Sequence, residues 1–395
     1  MPRSPGGTGP FQALEQAIWA AEPHELVGAV ADLIGRHAGA AAIEISLIDY
    51  RHAVLVPATP GGQPVRLDTD AAGRAFAAQR TTEEPDGRLG GRRVHLPLTV
   101  RGERLGILTA RFREGDPRPA WLEAVVDVLA RAVKIAEGET DLYRRIRRRT
   151  RLTLAAEMQW DLLPPTSCRT AAFSLAGQLE PAYAVWGDNF DWAASEECLT
   201  LTVSNGMGSG TEAAALTHLA ISALRNARRS GSDIAEQAAL ADQALFAQYR
   251  GERNVPTLLL DFELIGGRVR VVDAGSPRIY RLRGHVTEAI GFEAQLPLGM
   301  FGDTLYAVEH FTVEPGDRLV IVSDGVHAAR SPDGEEFGAG ALLKALRETR
   351  LQEPPEAVRT VIRQFVDHHA GGEAADDAVI VCLDWFGSGT VSSGA

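Results

Sequence analysis

Aspartates stand at the ends of apolar segments, or beside turns, at several places in the second half of the sequence. They are Asp188, Asp191, Asp324, Asp376 and Asp377. Any one of them alone could be a turn former or a helix cap. Together, with no His or Cys beside them, they are typical ligands of a hard divalent cation such as Mg²⁺ or Mn²⁺. Two such ions can activate a water molecule and stabilise phosphoryl oxygens, so the pattern indicates metal-assisted phosphoryl chemistry.

A glycine-rich stretch, "LTVSNGMGSG" at 201–210, follows an apolar, β-branched run. It predicts a strand that enters a sharp turn, with a helix beginning at Thr211. Glycine turns of this kind often let the backbone approach another group closely. Asn205 stands where a carboxylate is expected if the loop holds a metal. Because Asn is also a common turn residue, a purely architectural role for Asn205 stays open at this point.

The elements that must position these residues lie in a second globular region, predicted over 164–387. Its later part is dense in strands, and the pairs Gly266-Gly267 and Gly284-His285 mark hairpin turns. Helices are predicted over 211–228, 233–250, 338–349 and 355–369. Local pairing through hairpins favours antiparallel sheets with helices outside them, so the expected fold class is α+β.

A first globular region is predicted over 11–118. Strands at Val94–Val100 and Arg104–Phe112 form a hairpin through the turn between them. A helical linker over 119–163 follows, with helices at 119–137 and 141–163 that could form a coiled-coil connector. Six arginines fall between 144 and 151. A solvated helix face is the favoured interpretation of these arginines, with nucleic-acid binding as the alternative.

The composition bounds the remaining possibilities. The net charge of -12 argues against a general nucleic-acid binder. The three cysteines, Cys168, Cys198 and Cys382, form no CxxC pair, which argues against a zinc knuckle or a disulfide framework. No signal peptide and no apolar run of membrane-spanning length is present, so a cytoplasmic protein without membrane contact is expected. Residues 1–10 and 388–395 are predicted to be disordered tails.

Two resemblances to known families follow from these motifs. The first hairpin resembles that of a GAF domain, with Pro97-Leu98, Gly102 and Leu105-Gly106-Ile107-Leu108 matching the pattern "PL...G...G.L". A packing or dimerisation module without a ligand fits the same residues. The second region resembles the SpoIIE-like branch of the PPM-type, metal-dependent serine/threonine phosphatases. The similar blocks, in family order, are "EMQWDLLPP", "EPAYAVWGDNFDW", "SNGMGSGTEAA", "VDAGSPRIYRL", "LPLGMF", "VEPGDRLVIVSDGVHAAR" and "DDAVIVCLDW".

The second resemblance implies a fold, a metal site and its ligands. The implied fold is a PPM-type antiparallel β-sandwich flanked by helices. Two Mn²⁺ or Mg²⁺ ions are expected, with Asp188, Asp324 and Asp376 as ligands and with the Gly206 carbonyl added from the loop. Asn205 falls where the family has the Asp that bridges the two metals, and a carboxamide offers a single good acceptor oxygen. Weaker metal occupancy is therefore expected.

Two further departures from the family pattern are Trp186, in place of a glycine, and Ser276, where His is usual. The favoured hypothesis is a metal-dependent protein serine/threonine phosphatase with reduced activity, because three of four side-chain ligands persist. The alternative is a pseudophosphatase that binds a partner phosphoprotein under control of the GAF-like domain, and a scaffold that dimerises through its linker is a third. The resemblance implies a phosphorylated anti-sigma-factor antagonist as partner, and a homodimer through the linker or the GAF-like domain is expected.

Overall fold

The computed structural model describes residues 9–59, 61–88, 90–148, 152–181, 186–275, 277–369 and 376–387. It divides the chain into two compact units, Met1–Arg151 and Leu152–Ala395. The predicted tail over 388–395 and the departure at Ser276 lie outside the described residues, whereas Pro10, at the end of the other predicted tail, already begins a helix. In the described part of the chain, no helix is long and apolar enough to cross a membrane.

The first unit is an antiparallel sheet with helices packed against it. Its described helices are α1 (Pro10–Ala20), α2 (Leu26–Ala38), α3 (Ala71–Ala78), α4 (Leu122–Ala136) and α5 (Leu142–Arg147). Its described strands are β1 (Ala42–Ile48), β2 (Val54–Pro57), β3 (Val65–Arg66), β4 (Thr82–Asp86), β5 (Gly91–Val100) and β6 (Glu103–Phe112). They pair in the order β3-β2-β1-β6-β5-β4. One core joins α1, α2 and α4 to the sheet, and a smaller one lies under α3.

The predicted hairpin of the first unit is confirmed as β5 and β6. Its two turn residues, Arg101 and Gly102, both have positive φ angles (51° and 89°), the geometry that a two-residue hairpin turn requires. Alternate residues of both strands enter the core because successive side chains of a strand point to opposite faces. The resemblance of this unit to a GAF domain stays a prediction.

The prediction of one continuous helix over 141–163 is wrong. Helix α5 ends at Arg147, whose Nε donates to the Ile48 carbonyl (3.0 Å) and whose guanidinium stacks on the Tyr50 ring (4.8 Å to the centroid). A new helix, α6 (Leu154–Leu162), begins in the second unit, where Thr153 Oγ1 caps it by accepting from the Ala156 N–H (3.2 Å). The residues of the predicted linker are thus divided between the two units.

The second unit is a sandwich of two antiparallel sheets between helices. Its further described helices are α7 (Gly210–Arg229), α8 (Ile234–Tyr249), α9 (Asp324–His327), α10 (Ala341–Glu348) and α11 (Pro354–His368), with a single 3₁₀ turn at Phe337–Ala339. The first sheet has the order β15-β12-β11-β10-β9, formed by β9 (Asn189–Ala194), β10 (Cys198–Ser204), β11 (Thr257–Glu263), β12 (Arg268–Ala274) and β15 (Glu309–Thr312).

The second sheet has the order β14-β13-β16-β17-β8-β7. Its strands are β7 (Ser167–Arg169), β8 (Phe173–Glu180), β13 (Arg278–Arg283), β14 (Val286–Ile290), β16 (Arg318–Val322) and β17 (Ala378–Trp385). Alternation along the strands builds three cores. Leu258 and Leu260 enter the core between the sheets, whereas Leu259 packs under α7 and α8. On the outer face of the second sheet, Val320 and Val322 pack under α10 and α11.

The predicted α+β sandwich flanked by helices is thereby confirmed for the second unit, and so are the four predicted helices, with small shifts at their ends. Strand pairing fixes where the acidic residues meet. Ser204, the last residue of β10, pairs with Asn189 at the start of β9. Val322, at the end of β16, pairs with Ile380 near the start of β17. In the first sheet, the loop after β10 therefore lies beside the segment before β9. In the second sheet, the segment after β16 lies beside the segment before β17.

Candidate metal centre

Asp377 anchors the segment that carries Asp188. Its carboxylate is fully buried, and its Oδ2 accepts from the backbone N–H groups of Trp186 and Gly187, both at 2.8 Å, and from Gln159 Nε2 at 2.9 Å. Because these donors come from α6 and from the segment before β9, one side chain of the second sheet holds the entry to the first sheet in place.

Asp188 is buried but only partly satisfied. It is 1% exposed, and its Oδ1 accepts from the Gly206 N–H at 3.1 Å. Its Oδ2 is also buried and accepts no hydrogen bond from the described residues. Gln159 Nε2 donates to the backbone carbonyl of the same residue at 3.1 Å, so the main chain is fixed while one carboxylate oxygen keeps its capacity to bind.

Two glycines let these segments approach each other. A Cβ on Gly206 would lie 2.2 Å from the Trp186 carbonyl oxygen, and one on Gly325 would lie 1.9 Å from the Asp377 carbonyl oxygen. Both distances are far below van der Waals contact, so only glycine fits without moving the backbone. The "SNG" and "SDG" motifs therefore specify close contacts, the first with the Asp188 segment and the second with the Asp376 segment.

Electrostatic coupling joins the carboxylates. Burial raises the pKa of Asp188 well above its ordinary value, and the charges of Asp376, Asp324 and Asp377 raise it further, whereas the nearby Ser323 hydroxyl opposes the shift in part. Burial and the neighbouring Asp324 raise the pKa of Asp376 to about 6. Carboxylates whose ionised forms are disfavoured in this way lack compensating positive charge. A bound cation would supply that charge.

The glycine loop, defined as residues 205–209 between β10 and α7, holds Asn205 beside this group. Asn205 is 2% exposed, and its N–H donates to the Pro256 carbonyl at 2.9 Å. Its φ angle is negative, whereas Gly208 has φ +91°. The left-handed turn geometry that Asn tolerates is therefore not what Asn205 provides; glycine provides it three and five residues later, at Gly208 and Gly210. The predicted role of Asn205 as a metal ligand stays a prediction.

The segments that carry the candidate ligands are in contact, but the candidate side chains are not close enough to surround one ion. Within the ranges that the structure describes, no group of three or more His, Cys, Asp or Glu side chains lies close enough to hold one ion directly. The sites of Asp188, Gly206, Asp324 and Asp376 are linked by backbone contact and by charge. Their assignment as metal ligands stays a prediction at this point.

Asp191, three residues after Asp188, does not belong to the group. Its Oδ1 pairs with Arg225 Nη2 at 2.8 Å and its Oδ2 with Arg228 Nη1 at 3.1 Å, so it fastens β9 to α7. Sequence reasoning missed the roles of Gln159 and Thr217. Thr217 Oγ1, on α7, donates to the Gly187 carbonyl at 2.6 Å. Gln159 lies in the "EMQWDLLPP" block, which could have marked it as part of the site.

The residues fit a divalent cation. The available donors are carboxylate, carboxamide and carbonyl oxygens, which Mg²⁺ and Mn²⁺ prefer. The buried Oδ2 of Asp188 accepts no hydrogen bond from the described residues, and the neighbouring carboxylates oppose its ionisation. Residues that would hold the ion are Asp188, Asp324 and Asp376, with the Gly206 carbonyl and with Asn205 as a weaker donor.

Part of this chain is similar to known proteins. Residues 195–386 match the family model "Stage II sporulation protein E (SpoIIE)". Protein IcfG of Synechocystis sp. is 20% identical over 263 residues, which are 60% of this chain and 41% of that protein. The chain thus aligns with less than half the length of this curated relative.

Two solved structures illustrate the similarity in architecture. One contains the PP2C phosphatase domain and a fragment of the regulatory domain of SpoIIE from Bacillus subtilis (18% identity, 56% of this chain and 66% of that chain, TM-score 0.48). Another is the catalytic domain of serine threonine protein phosphatase PstP in complex with 2 manganese ions (19% identity, 54% and 98%, TM-score 0.39).

The segment matched by the family model contains the glycine loop, the Asp324 turn and the Asp376 segment, and Asp188 lies just before it. Residues 195–386 are therefore similar to the SpoIIE family of PPM-type serine/threonine phosphatase domains.

Proposed function

We propose that this protein is a metal-dependent phosphatase that hydrolyses a phosphoserine or phosphothreonine on a regulatory protein. The observation that carries the proposal is the buried Asp188 carboxylate. One of its oxygens accepts no hydrogen bond from the described residues, and the charges of Asp324 and Asp376 oppose its ionisation. A site in which several carboxylates lie close together is suited to a divalent cation, because the cation would offset their negative charge.

Bound Mn²⁺ or Mg²⁺ would supply positive charge and lower the pKa of a water molecule. The residues of the chain position the site. Asp377 and Gln159 fix the main chain at 186–188, and Thr217 fixes it from α7. The Gly206 N–H holds Oδ1 of Asp188 and so orients the second oxygen of that carboxylate. These contacts keep the carboxylate preorganised, which limits reorganisation during the reaction.

Asn205 favours a slow enzyme. An Asp at this position could give one oxygen to each of two ions, whereas the carboxamide has one good acceptor oxygen and carries no charge. The same residue supports a second candidate function, a pseudophosphatase that binds a phosphoprotein without hydrolysing it.

The proposed partner is a phosphorylated anti-sigma-factor antagonist or a similar phosphoprotein. This proposal derives from the resemblance of the second region to bacterial partner-switching regulators. On the same basis, the first unit would act as the sensor and would support a homodimer. Cytoplasmic localisation and the absence of nucleic-acid binding stay predictions, the latter supported by the net charge of -12.

Calorimetric titration of the full chain with Mn²⁺, followed by hydrolysis of p-nitrophenyl phosphate, tests the function. We expect Mn²⁺ binding and Mn²⁺-dependent turnover, both lost in Asp188→Asn. Asp127→Asn, an exposed position on α4, is the matched control and should change neither. Metal binding without turnover would favour the pseudophosphatase, and the absence of metal binding would contradict both the catalytic mechanism and the ligand assignment.

A further inference from the structure

Arg253 packs directly on the glycine loop. A Cβ on Gly208 would lie 2.6 Å from Arg253 Nη1 and 3.9 Å from its Cζ, so the guanidinium occupies the space above this glycine. Gly208 lies two residues after Gly206, whose N–H holds the Asp188 carboxylate. A positive charge is thereby placed beside a loop of the candidate metal centre.

The main chain around Arg253 is fixed on two sides. Val255 and Leu298 exchange backbone hydrogen bonds of 2.8 and 3.2 Å, and the Pro256 carbonyl accepts from the Asn205 N–H at 2.9 Å. The segment that carries Arg253 is thus joined to the glycine loop itself. The base of the side chain therefore keeps its position relative to Gly206 and Asp188.

The guanidinium has an exchangeable partner. Arg253 Nη2 pairs with Glu212 Oε2 at 2.7 Å, and the Glu212 side chain is 75% exposed while that of Arg253 is 33% exposed. Exposed ion pairs of this kind contribute little to stability because water screens them. Glu212 can therefore give way to another anion at small cost.

From this placement we propose that Arg253 binds the phosphoryl oxygens of the phosphomonoester substrate, displacing Glu212. The proposal rests on the proposed function and names the residue that recognises the substrate dianion. A phosphate dianion that approaches the carboxylates of Asp188, Asp324 and Asp376 needs positive charge around it, which bound metal and Arg253 would both supply. Arginine offers several N–H donors in a planar fork that matches a phosphate group, so it adds both charge and orientation.

The test measures affinity separately from turnover. The probe is phenylphosphonate, a phosphomonoester analogue that is not hydrolysed, titrated calorimetrically into the full chain with Mn²⁺. We expect Arg253→Gln to weaken binding about 10-fold or more, because charge-assisted hydrogen bonds are lost, and Arg253→Lys to fall between. Glu212→Gln removes the competing carboxylate and should strengthen binding about 2- to 5-fold.

Arg281→Gln is the matched control, since Arg281 forms an ion pair with the exposed Glu288 in the hairpin of β13 and β14. It should leave the affinity unchanged, and thermal unfolding checks that each variant is folded. A purely structural ion pair predicts that Arg253→Gln and Glu212→Gln act alike. Equal effects, an unchanged affinity in Arg253→Gln, or no binding by the natural sequence would overturn the proposal.

The Michaelis constant for p-nitrophenyl phosphate separates this proposal from the proposed function. Arg253-dependent binding of phenylphosphonate without any turnover would support the role of Arg253 and contradict catalysis. Turnover with a Michaelis constant unchanged in Arg253→Gln would support catalysis and contradict the role of Arg253.

Discussion

The carboxylates at the two ends of the strand pair β16 and β17 have different electrostatic surroundings. At one end, Asp384 receives two hydrogen bonds from Arg318, and Asp317 receives two from Arg283, all between 2.6 and 2.8 Å. At the other end lie Asp324 and Asp376, where burial and the charge of Asp324 raise the pKa of Asp376 to about 6.

The same contrast occurs within one short segment of the first sheet. Asp191 is neutralised by two arginines of α7, whereas Asp188, three residues earlier, faces other carboxylates. Acidic residues that only hold the fold together thus receive their counter-charge from the protein itself. At Asp188, burial and the neighbouring carboxylates instead oppose ionisation, which distinguishes this site from the structural ion pairs.

The largest expected effect lies at the paired end. Arg318 is nearly buried, and besides Asp384 it binds the Thr349 carbonyl at 2.7 Å. Arg318→Ala should lower the free energy of unfolding by about 3–5 kcal/mol, because it leaves a carboxylate and a carbonyl without their donor. Urea unfolding measures the loss. Arg281→Ala, in an exposed pair, should cost about 0–1 kcal/mol. Similar losses in the two variants would remove the contrast between buried and exposed pairs.

Adding a carboxylate to the candidate metal centre should increase activity. Asn205→Asp changes almost no volume and adds charge where cations would bind. A gain of about 2–4 kcal/mol in transition-state stabilisation would raise the turnover rate roughly 30- to 1000-fold. The readouts are Mn²⁺ affinity and hydrolysis of p-nitrophenyl phosphate. The control is Asn226→Asp, an exposed position on α7. If Asn205→Asp binds no more metal and is no faster, other departures such as Trp186 have already closed the site.

Removing a carboxylate should have opposite effects on stability at the candidate centre and at the Arg318–Asp384 pair. In the presence of a chelator, Asp188→Asn should stabilise the chain by about 1 kcal/mol, the scale of a typical stabilising substitution, because it relieves burial and repulsion of a charge. Asp384→Asn should destabilise it, since Arg318 then keeps its charge without its partner. Thermal unfolding measures both. A loss of stability in Asp188→Asn would show that its carboxylate is structural.

The smallest effect on stability is expected in the first unit, where the buried titratable group is a base, His95, rather than a carboxylic acid. His95 contacts Thr109 Oγ1 (3.0 Å) and Glu84 Oε1 (3.3 Å). Burial lowers the pKa of His95 below 6.5, although Glu84 opposes the shift. The unfolded chain then takes up the proton first, so the contribution of His95 to stability is full above about pH 6.5 and falls as the pH drops toward the folded pKa.

Thermal unfolding of the full chain between pH 5 and pH 7.5 tests this sign. His95→Gln should reduce the pH dependence, and His24→Gln, at an exposed position, should leave it unchanged. The same pH dependence in His95→Gln and in the natural sequence would contradict the assignment to His95.

Much of the architecture follows from local pattern. The hairpins at Gly102, Gly266-Gly267 and Gly284-His285, and the helices α7, α8, α10 and α11, lie close to where their sequence patterns place them. Periodic apolar residues and glycine turns act over a few residues, so the sequence itself carries this information. The glycine-rich stretch at 201–210 likewise marked a place where backbones approach.

Other features depend on residues distant in the chain. At the end of α5, the guanidinium of Arg147 contacts Tyr50 and Ile48, about a hundred positions earlier in the chain. Asp376 and Asp377 are neighbours with the same side chain, yet Asp377 turns to N–H donors from 159, 186 and 187, whereas Asp376 is coupled to Asp324.

The sequence by itself determined most strands and helices of the second unit and which acidic residues stand at their ends, but it did not show the break between α5 and α6. Only the tertiary structure decided which aspartates receive donors or arginines and which face one another. The physical reason is that the ionisation of a carboxylate depends on burial and on charges within a few ångströms, and these are set by packing between sheets rather than by the neighbours in the chain.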